Sequence, residues 1–339
     1  MSAPTRAKMP STFFTGISRP GFPVLSESIG RARPNRNAAV SHTRNGRMRA
    51  VRYACAAMRP ALRERVHLSR ESLLKLLPET VQAGLLDAMQ GRSFRASIAW
   101  HGGAADTYLL HDDGGAATIL KVFREAGRAG FEAEALDRVA AAAIPELRMP
   151  NLIAALGDGR AILMEYVEAA SIRETLRDGN ATPAAAAVAL ALAVRAYHRL
   201  FSAPFRDLHP ANVLSDRDGG LVLLDPAPPG SRTLDPGQFL PIDVAFWTYA
   251  TVVNLPWDLR ASLRAGWRML EMNSRFVVSA LAPEPQAASR AREAERITRR
   301  HLRRMLHRWP RDKALYPVAW AAAWLVFRRA NWLLRHGQG

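Results

Sequence analysis

Apolar spacing changes character along this 339-residue chain. Residues 1–60 show no apolar periodicity, and Pro10, Pro20, Pro23, Pro34 and Pro60 interrupt any regular element. From about residue 61 a helical pattern runs through Leu73, Leu74, Leu76, Leu77, Val81 and Leu85, with Pro78 forcing a break. Three short runs rich in β-branched or aromatic residues then read as strands: Phe94 to Trp100, Thr107 to Leu110 and Thr118 to Phe123. His111-Asp112-Asp113-Gly114-Gly115 between the last two is a hairpin-turn signal. Arg128 to Ala142 reads as a helix and Ala161 to Val167 as a buried strand. Beyond Ser171 helices dominate, at 183–201, 242–254, 257–281, 286–309 and 317–334, with Leu221 to Leu224 as the one clear late strand. Strands first and helices later predict an α+β fold in two lobes. The expected divisions are a disordered basic tail at 1–60, a helical lead-in and small lobe at 61–168, and a helical large lobe at 169–339.

Charge sharpens this division. The net charge of +17 is concentrated at the ends: residues 1–66 hold 13 Lys/Arg against 2 acids, and residues 286–313 hold 10 against 3. Residues 67–285 are mildly acidic, with 21 basic and 25 acidic side chains. A nucleic-acid groove belongs on a folded body, so no nucleic-acid partner is expected. The Arg-rich, acid-poor start resembles an organelle transit peptide, but a solvated basic tail or an upstream start codon is the plainer reading. The single cysteine, Cys55, excludes an internal disulfide framework and a four-thiolate metal site. No unbroken apolar run reaches the roughly 18 residues of a membrane span.

The chemistry concentrates in Phe205-Arg206-Asp207-Leu208-His209-Pro210-Ala211-Asn212-Val213-Leu214, followed by Leu221-Val222-Leu223-Leu224-Asp225-Pro226. Phosphoryl transfer needs an aspartate to orient an attacking hydroxyl and accept its proton. It also needs an amide oxygen and a second carboxylate on the metal. Asp207, Asn212 and Asp225 supply these types, and Mg²⁺ takes hard oxygen ligands of that kind. The apolar pairs around them predict a hairpin that brings Asn212 and Asp225 to one edge.

These motifs resemble the aminoglycoside phosphotransferase family, small-molecule kinases of the protein-kinase-like superfamily, over roughly residues 90–335. The resemblance implies a two-lobed protein-kinase-like fold that binds ATP and Mg²⁺ and phosphorylates a hydroxyl of a small molecule. It implies Asp207 as the catalytic residue, Asn212 and Asp225 as metal ligands, and Lys121 on the α- and β-phosphates. Glu132 is the better-spaced partner for Lys121, with Glu134 the alternative. Gly103, in His101-Gly102-Gly103-Ala104, sits where the phosphate-covering loop belongs. Glu165 and Val167 fall in a hinge-like stretch whose backbone would meet adenine, and Asp243 resembles the aspartate that buttresses the catalytic loop. Two positions depart from the family: Phe205-Arg206 replaces the usual His-Gly, and Pro226 follows Asp225.

Rival chemistries lack their motifs. The sequence has no G-x-x-x-x-G-K-[ST] loop, no G-x-S-x-G elbow and no His pair at metalloprotease spacing. A nucleotide-binding pseudokinase is the alternative of a different class, and intact Lys121, Asp207, Asn212 and Asp225 argue against it. A sugar, lipid or lipopolysaccharide kinase at a membrane surface is suggested by Arg299, Arg300, Arg303, Arg304 and Arg308 with Trp320, Trp324 and Trp332 nearby. Helical spacing puts Trp320, Trp324 and Phe327 on one stripe, so the expectation is three largely buried Trp and a cytoplasmic enzyme. The oligomeric state is left open.

Overall fold

The computed structural model describes residues 67–100, 104–125, 127–215, 220–228, 234–284, 286–308 and 316–336, all within one compact unit, Ala50–Gly339. The tail expectation for residues 1–60 lies outside the described residues, as does Gly103.

The small lobe is an antiparallel six-stranded sheet: β1 (His67–Leu68), β2 (Phe94–Trp100), β3 (Ala105–Asp112), β4 (Ala117–Phe123), β5 (Leu152–Leu156) and β6 (Ala161–Glu165). Their spatial order is β1-β2-β3-β4-β6-β5. Helices α1 (Arg70–Leu76) and α2 (Glu79–Ala88), split at Pro78, cover one face through Leu73, Val81 and Leu85, packed with Leu120, Leu156 and Leu163. The helical lead-in is therefore part of the small lobe. Helix α3 (Arg128–Ala142) covers the opposite face. β5 was not read from the sequence: Leu152-Ile153-Ala154-Ala155-Leu156 is too Ala-rich to announce a strand, and pairing with β6 makes it one.

A three-stranded sheet follows, in the order β7 (Ala170–Ser171), β8 (Val213–Ser215), β9 (Leu221–Leu223). Helices α4 (Ile172–Asp178), α5 (Pro183–Phe201), α6 (Phe239–Ala261), α7 (Leu263–Leu281), α8 (Ala287–Arg308) and α9 (Tyr316–His336) complete the large lobe. α4 starts in a capping box between Ser171 and Glu174, a Ser-x-x-Glu signal present in the sequence. By length and composition α5 could cross a membrane, but half of it is buried and it packs on α7 in the core. The expected break near Pro256 does not occur. α6 continues through Pro256 to Ala261, because tertiary burial of Val252, Leu255 and Asp258 outweighs the missing backbone hydrogen bond. The chain turns at Ser262, whose side chain caps α7 through the Ala265 N–H.

The expectation of buried tryptophans is corrected. The buried face of α9 is centred on Ala323, Val326 and Ala330, with Phe327 at its edge. Phe327 and Leu333 fill that face together with Ala319, Ala322, Ala323, Val326 and Ala330, and the indoles lie off it. Trp320 is half-buried, whereas Trp324 and Trp332 are 45% and 50% exposed.

The β5–β6 turn shows how tightly α2 is docked. Gly157 has φ +59°, and a Cβ there would lie 2.5 Å from Val81 Cγ2 and 3.1 Å from the Val81 backbone nitrogen. Gly157→Ala combines left-handed strain with a clash against helix backbone. It should lower unfolding free energy by about 2 kcal/mol or more, read by urea denaturation.

Candidate functional site

Strand alternation decides which way Lys121 points. On β4, Leu120 faces α1 and α2, while Ile119, Lys121 and Phe123 face α3 and the cleft. On α3, Ala129, Glu132, Ala133 and Leu136 share the buried face by their i, i+3, i+4 and i+7 spacing. Lys121 Nζ donates to Glu132 Oε1 and Oε2 at 2.8 and 2.7 Å, while Glu134 is exposed. Lys121 Nζ also donates to Asp225 Oδ1 at 2.7 Å, across the lobe boundary.

Two carboxylates thus share one buried ammonium. Burial pulls the Lys121 pKa down, but Asp225 and Glu132 together outweigh it and keep the ammonium charged. Burial is also the largest influence on Glu132 and raises it to about 7, against the pull of Lys121.

The loop carrying Asp207 is hung from Asp243 of α6. Asp243 is fully buried; its Oδ2 accepts from the Phe205 N–H and its Oδ1 from the Arg206 N–H, each at 2.7 Å. His198 Nε2, on the last turn of α5, lies 2.7 Å from Asp243 Oδ2. Phe205 and Leu208 are buried, and Phe205 meets Tyr197 edge-on. With its neighbours sunk into the lobe, Asp207 is turned outward, its side chain 51% exposed. Arg206 and Asp225 both take left-handed backbone, at φ +67° and +58°. Such conformations cost about 1–3 kcal/mol each and persist where surrounding bonds over-determine them.

Asn212 is buried, and its amide Nδ2 donates to the Asp207 carbonyl at 3.1 Å. That use of the nitrogen directs the amide oxygen elsewhere. The Leu224 N–H donates to the Asn212 carbonyl at 2.8 Å, tying the segment that leads from β9 to Asp225 to the loop that carries Asp207. His209 Nδ1 accepts from the Ala211 N–H at 3.3 Å, and its Nε2 lies 3.9 Å from Asp207 Oδ1. Incomplete hydration in the cleft raises the Asp207 pKa, with His209 opposing and Asp225 adding to the rise.

Two cavities flank this constellation. A narrow one of about 50 Å³ is lined by Lys121, Glu132, Met164, Val167, Leu224 and Asp225, with Glu165 also on its wall. The Glu165 side chain itself is engaged by the Asn151 N–H and Nδ2, at 3.1 and 2.8 Å. A larger one, about 290 Å³, opens beside Asp207 in the large lobe and includes Arg173, Phe246, Thr251, Asn254 and Asp258. Arg173 Nε donates to Asp258 Oδ1 at 2.6 Å. Asp258 Oδ2 and Thr251 Oγ1 are buried without a hydrogen-bond partner. Among the described residues no three His, Cys, Asp or Glu side chains cluster as a metal cage.

The sequence reading missed His198, Arg173 and Asp258. A His near the end of an otherwise apolar helix was the one available signal for His198. Arg173 and Asp258 are 85 residues apart and meet only through folding.

Residues 96–205 match the model of a family described as the phosphotransferase enzyme family, about a third of the chain, and the match ends just before Asp207. No curated protein matched the chain. Among solved structures, the kinase domain of Mycobacterium tuberculosis PknI, a point mutant, covers 46% of this chain and 72% of its own, at 16% identity and a TM-score of 0.33.

Asp243→Ala would orphan His198 and two buried backbone N–H groups. It should cost about 3–5 kcal/mol of stability, measured by urea unfolding. Glu132 supplies a pH test. The folded protein retains its proton up to about pH 7, whereas the unfolded chain releases it near the ordinary 4.5. The folded state therefore binds more protons across that window, so this group's contribution falls as pH rises through it. Glu132→Gln should flatten that part of the stability–pH curve of the nucleotide-free protein.

Proposed function

We propose, on the premise that this is a kinase-like phosphotransferase by its family match and its two-lobed α+β fold, that it transfers the γ-phosphoryl group of Mg-ATP to a hydroxyl of a small molecule. The observation that carries the reading is Lys121 held between Glu132 and Asp225, with Asp207 at the mouth of a separate cavity.

The donor set suits the nucleotide and its metal. Asn212 and Asp225 would hold Mg²⁺ through hard oxygens, and Mg²⁺ needs few protein ligands because phosphates and water complete its shell. Lys121 would hold the α- and β-phosphates, and the narrow cavity beside Met164 and Leu224 suits a flat base. Bound Mg-ATP supplies the phosphoryl group and a metal that neutralises charge on the phosphate oxygens.

What the chain itself contributes is positioning and one proton acceptor. Asp207 accepts a hydrogen bond from the acceptor hydroxyl, orients its oxygen and takes the proton as the new bond forms. Its raised pKa makes it a better base than an ordinary carboxylate. Asp243 holds the loop so that Asp207 keeps one direction, which lowers the entropy lost on reaching the reactive geometry. The 290 Å³ cavity beside Asp207 is sized for a small acceptor.

Asp207→Asn should lower kcat by about 10²–10⁴ while Mg-ATP affinity stays within about threefold. Lys121→Ala should instead weaken Mg-ATP by about tenfold or more. An ATP-consumption screen over hydroxylated metabolites, followed by isothermal titration of both variants, tests the assignment. Full turnover by the Asp207 variant would overturn the role given to that residue. Absence of Mg-ATP binding to the unmodified chain would overturn the reading itself.

A further inference from the structure

The outer face of α9 carries apolar side chains on a helix whose inner face is already packed. Its exposed positions include Val318, Trp324, Leu325, Arg328 and Trp332, which recur at helical spacing along one side. Exposed Trp267 of α7 joins them, linked through Arg329, whose guanidinium lies 5.9 Å from the Trp267 ring centroid. Arg328 lies 4.8 Å from the centroid of Trp324. α9 contains no Asp or Glu. On the neighbouring α7, Glu271 faces Arg329 and Arg275, which balance its charge.

We propose that this face docks on an anionic phospholipid surface. Large exposed apolar groups grouped together are unfavourable in water and mark a binding surface. An indole buries its ring at the headgroup boundary while its N–H stays among polar groups. Arg stems lie along apolar surface and extend their guanidinium groups to lipid phosphates. A second copy of the same face would set Arg against Arg with no carboxylate from α9 to pair them. A nucleic acid would require a continuous basic track, whereas Val318, Trp324 and Leu325 make the centre of this face apolar.

Co-sedimentation of the full chain with vesicles tests this, at physiological salt. Two compositions are needed: phosphatidylcholine alone, and phosphatidylcholine with phosphatidylglycerol. The expected result is binding to the anionic vesicles only. The triple variant Trp267→Ala, Trp324→Ala, Trp332→Ala should reduce that binding at least tenfold. Its melting temperature should stay near that of the unmodified chain, since all three side chains are about half exposed. Arg328→Gln with Arg329→Gln should weaken binding and reduce its salt dependence. Unchanged binding by the triple variant would overturn the proposal and assign the attraction to other basic segments of the chain. No vesicle binding, with a dimer by light scattering that the triple variant abolishes, would overturn it in favour of self-association.

Discussion

The ammonium of Lys121 sits where two carboxylates from different parts of the chain converge, and much of the site's geometry follows from that convergence. Glu132 reaches it from α3 within the small lobe, and Asp225 reaches it from just beyond β9 in the large lobe. A buried ion is tolerated only when paired, so Lys121 fixes the helix, the strand and the following loop with respect to one another. With Asp225 opposite it, the site is over-supplied with negative charge. Burial is the main cause of the raised Glu132, and Asp225 adds to the rise while Lys121 opposes it.

A second constraint works beside the first. Asp243, without solvent exposure, accepts from two successive backbone N–H groups and lies against His198. It does for the Asp207 loop what a strand partner does for a strand: it satisfies the backbone and removes its freedom. Because the loop is fixed from beneath, Phe205 and Leu208 stay buried while Asp207 faces outward. Phe205 packs as core against Tyr197, and the His198 imidazole reaches Asp243 from α5.

The large lobe separates two surfaces of different character. The cavity beside Asp207 combines Arg173, Asn254 and Asp258 with largely apolar and aromatic walls such as Phe246 and Tyr249. The outer face of α9 is aromatic and basic. The same helices serve both, since α6 and α7 line the cavity on one side and pack against α9 on another.

Much of the architecture was legible from local pattern. The helices at 128–142 and 183–201, the hairpin at Asp113 to Gly115 and the division into strands and helices depend on periodicity and turn chemistry, which act over a few residues. Asp207, Asn212 and Asp225 stood out together by residue type and spacing and Lys121 and Glu132 by resemblance, and folding brings Lys121, Glu132 and Asp225 into contact. Tertiary structure decided the rest. Glu132 rather than Glu134 faces Lys121 because burial of Ala129, Ala133 and Leu136 fixes the rotation of α3. α6 runs through Pro256 because surrounding packing outweighs a local breaker. Trp324 and Trp332 of α9 face outward although the spacing of Trp320, Trp324 and Phe327 suggests a core stripe. Spacing defines that a face exists, but which side is buried depends on the shape of what it meets, and here the alanines with Val326, Phe327 and Leu333 take that side.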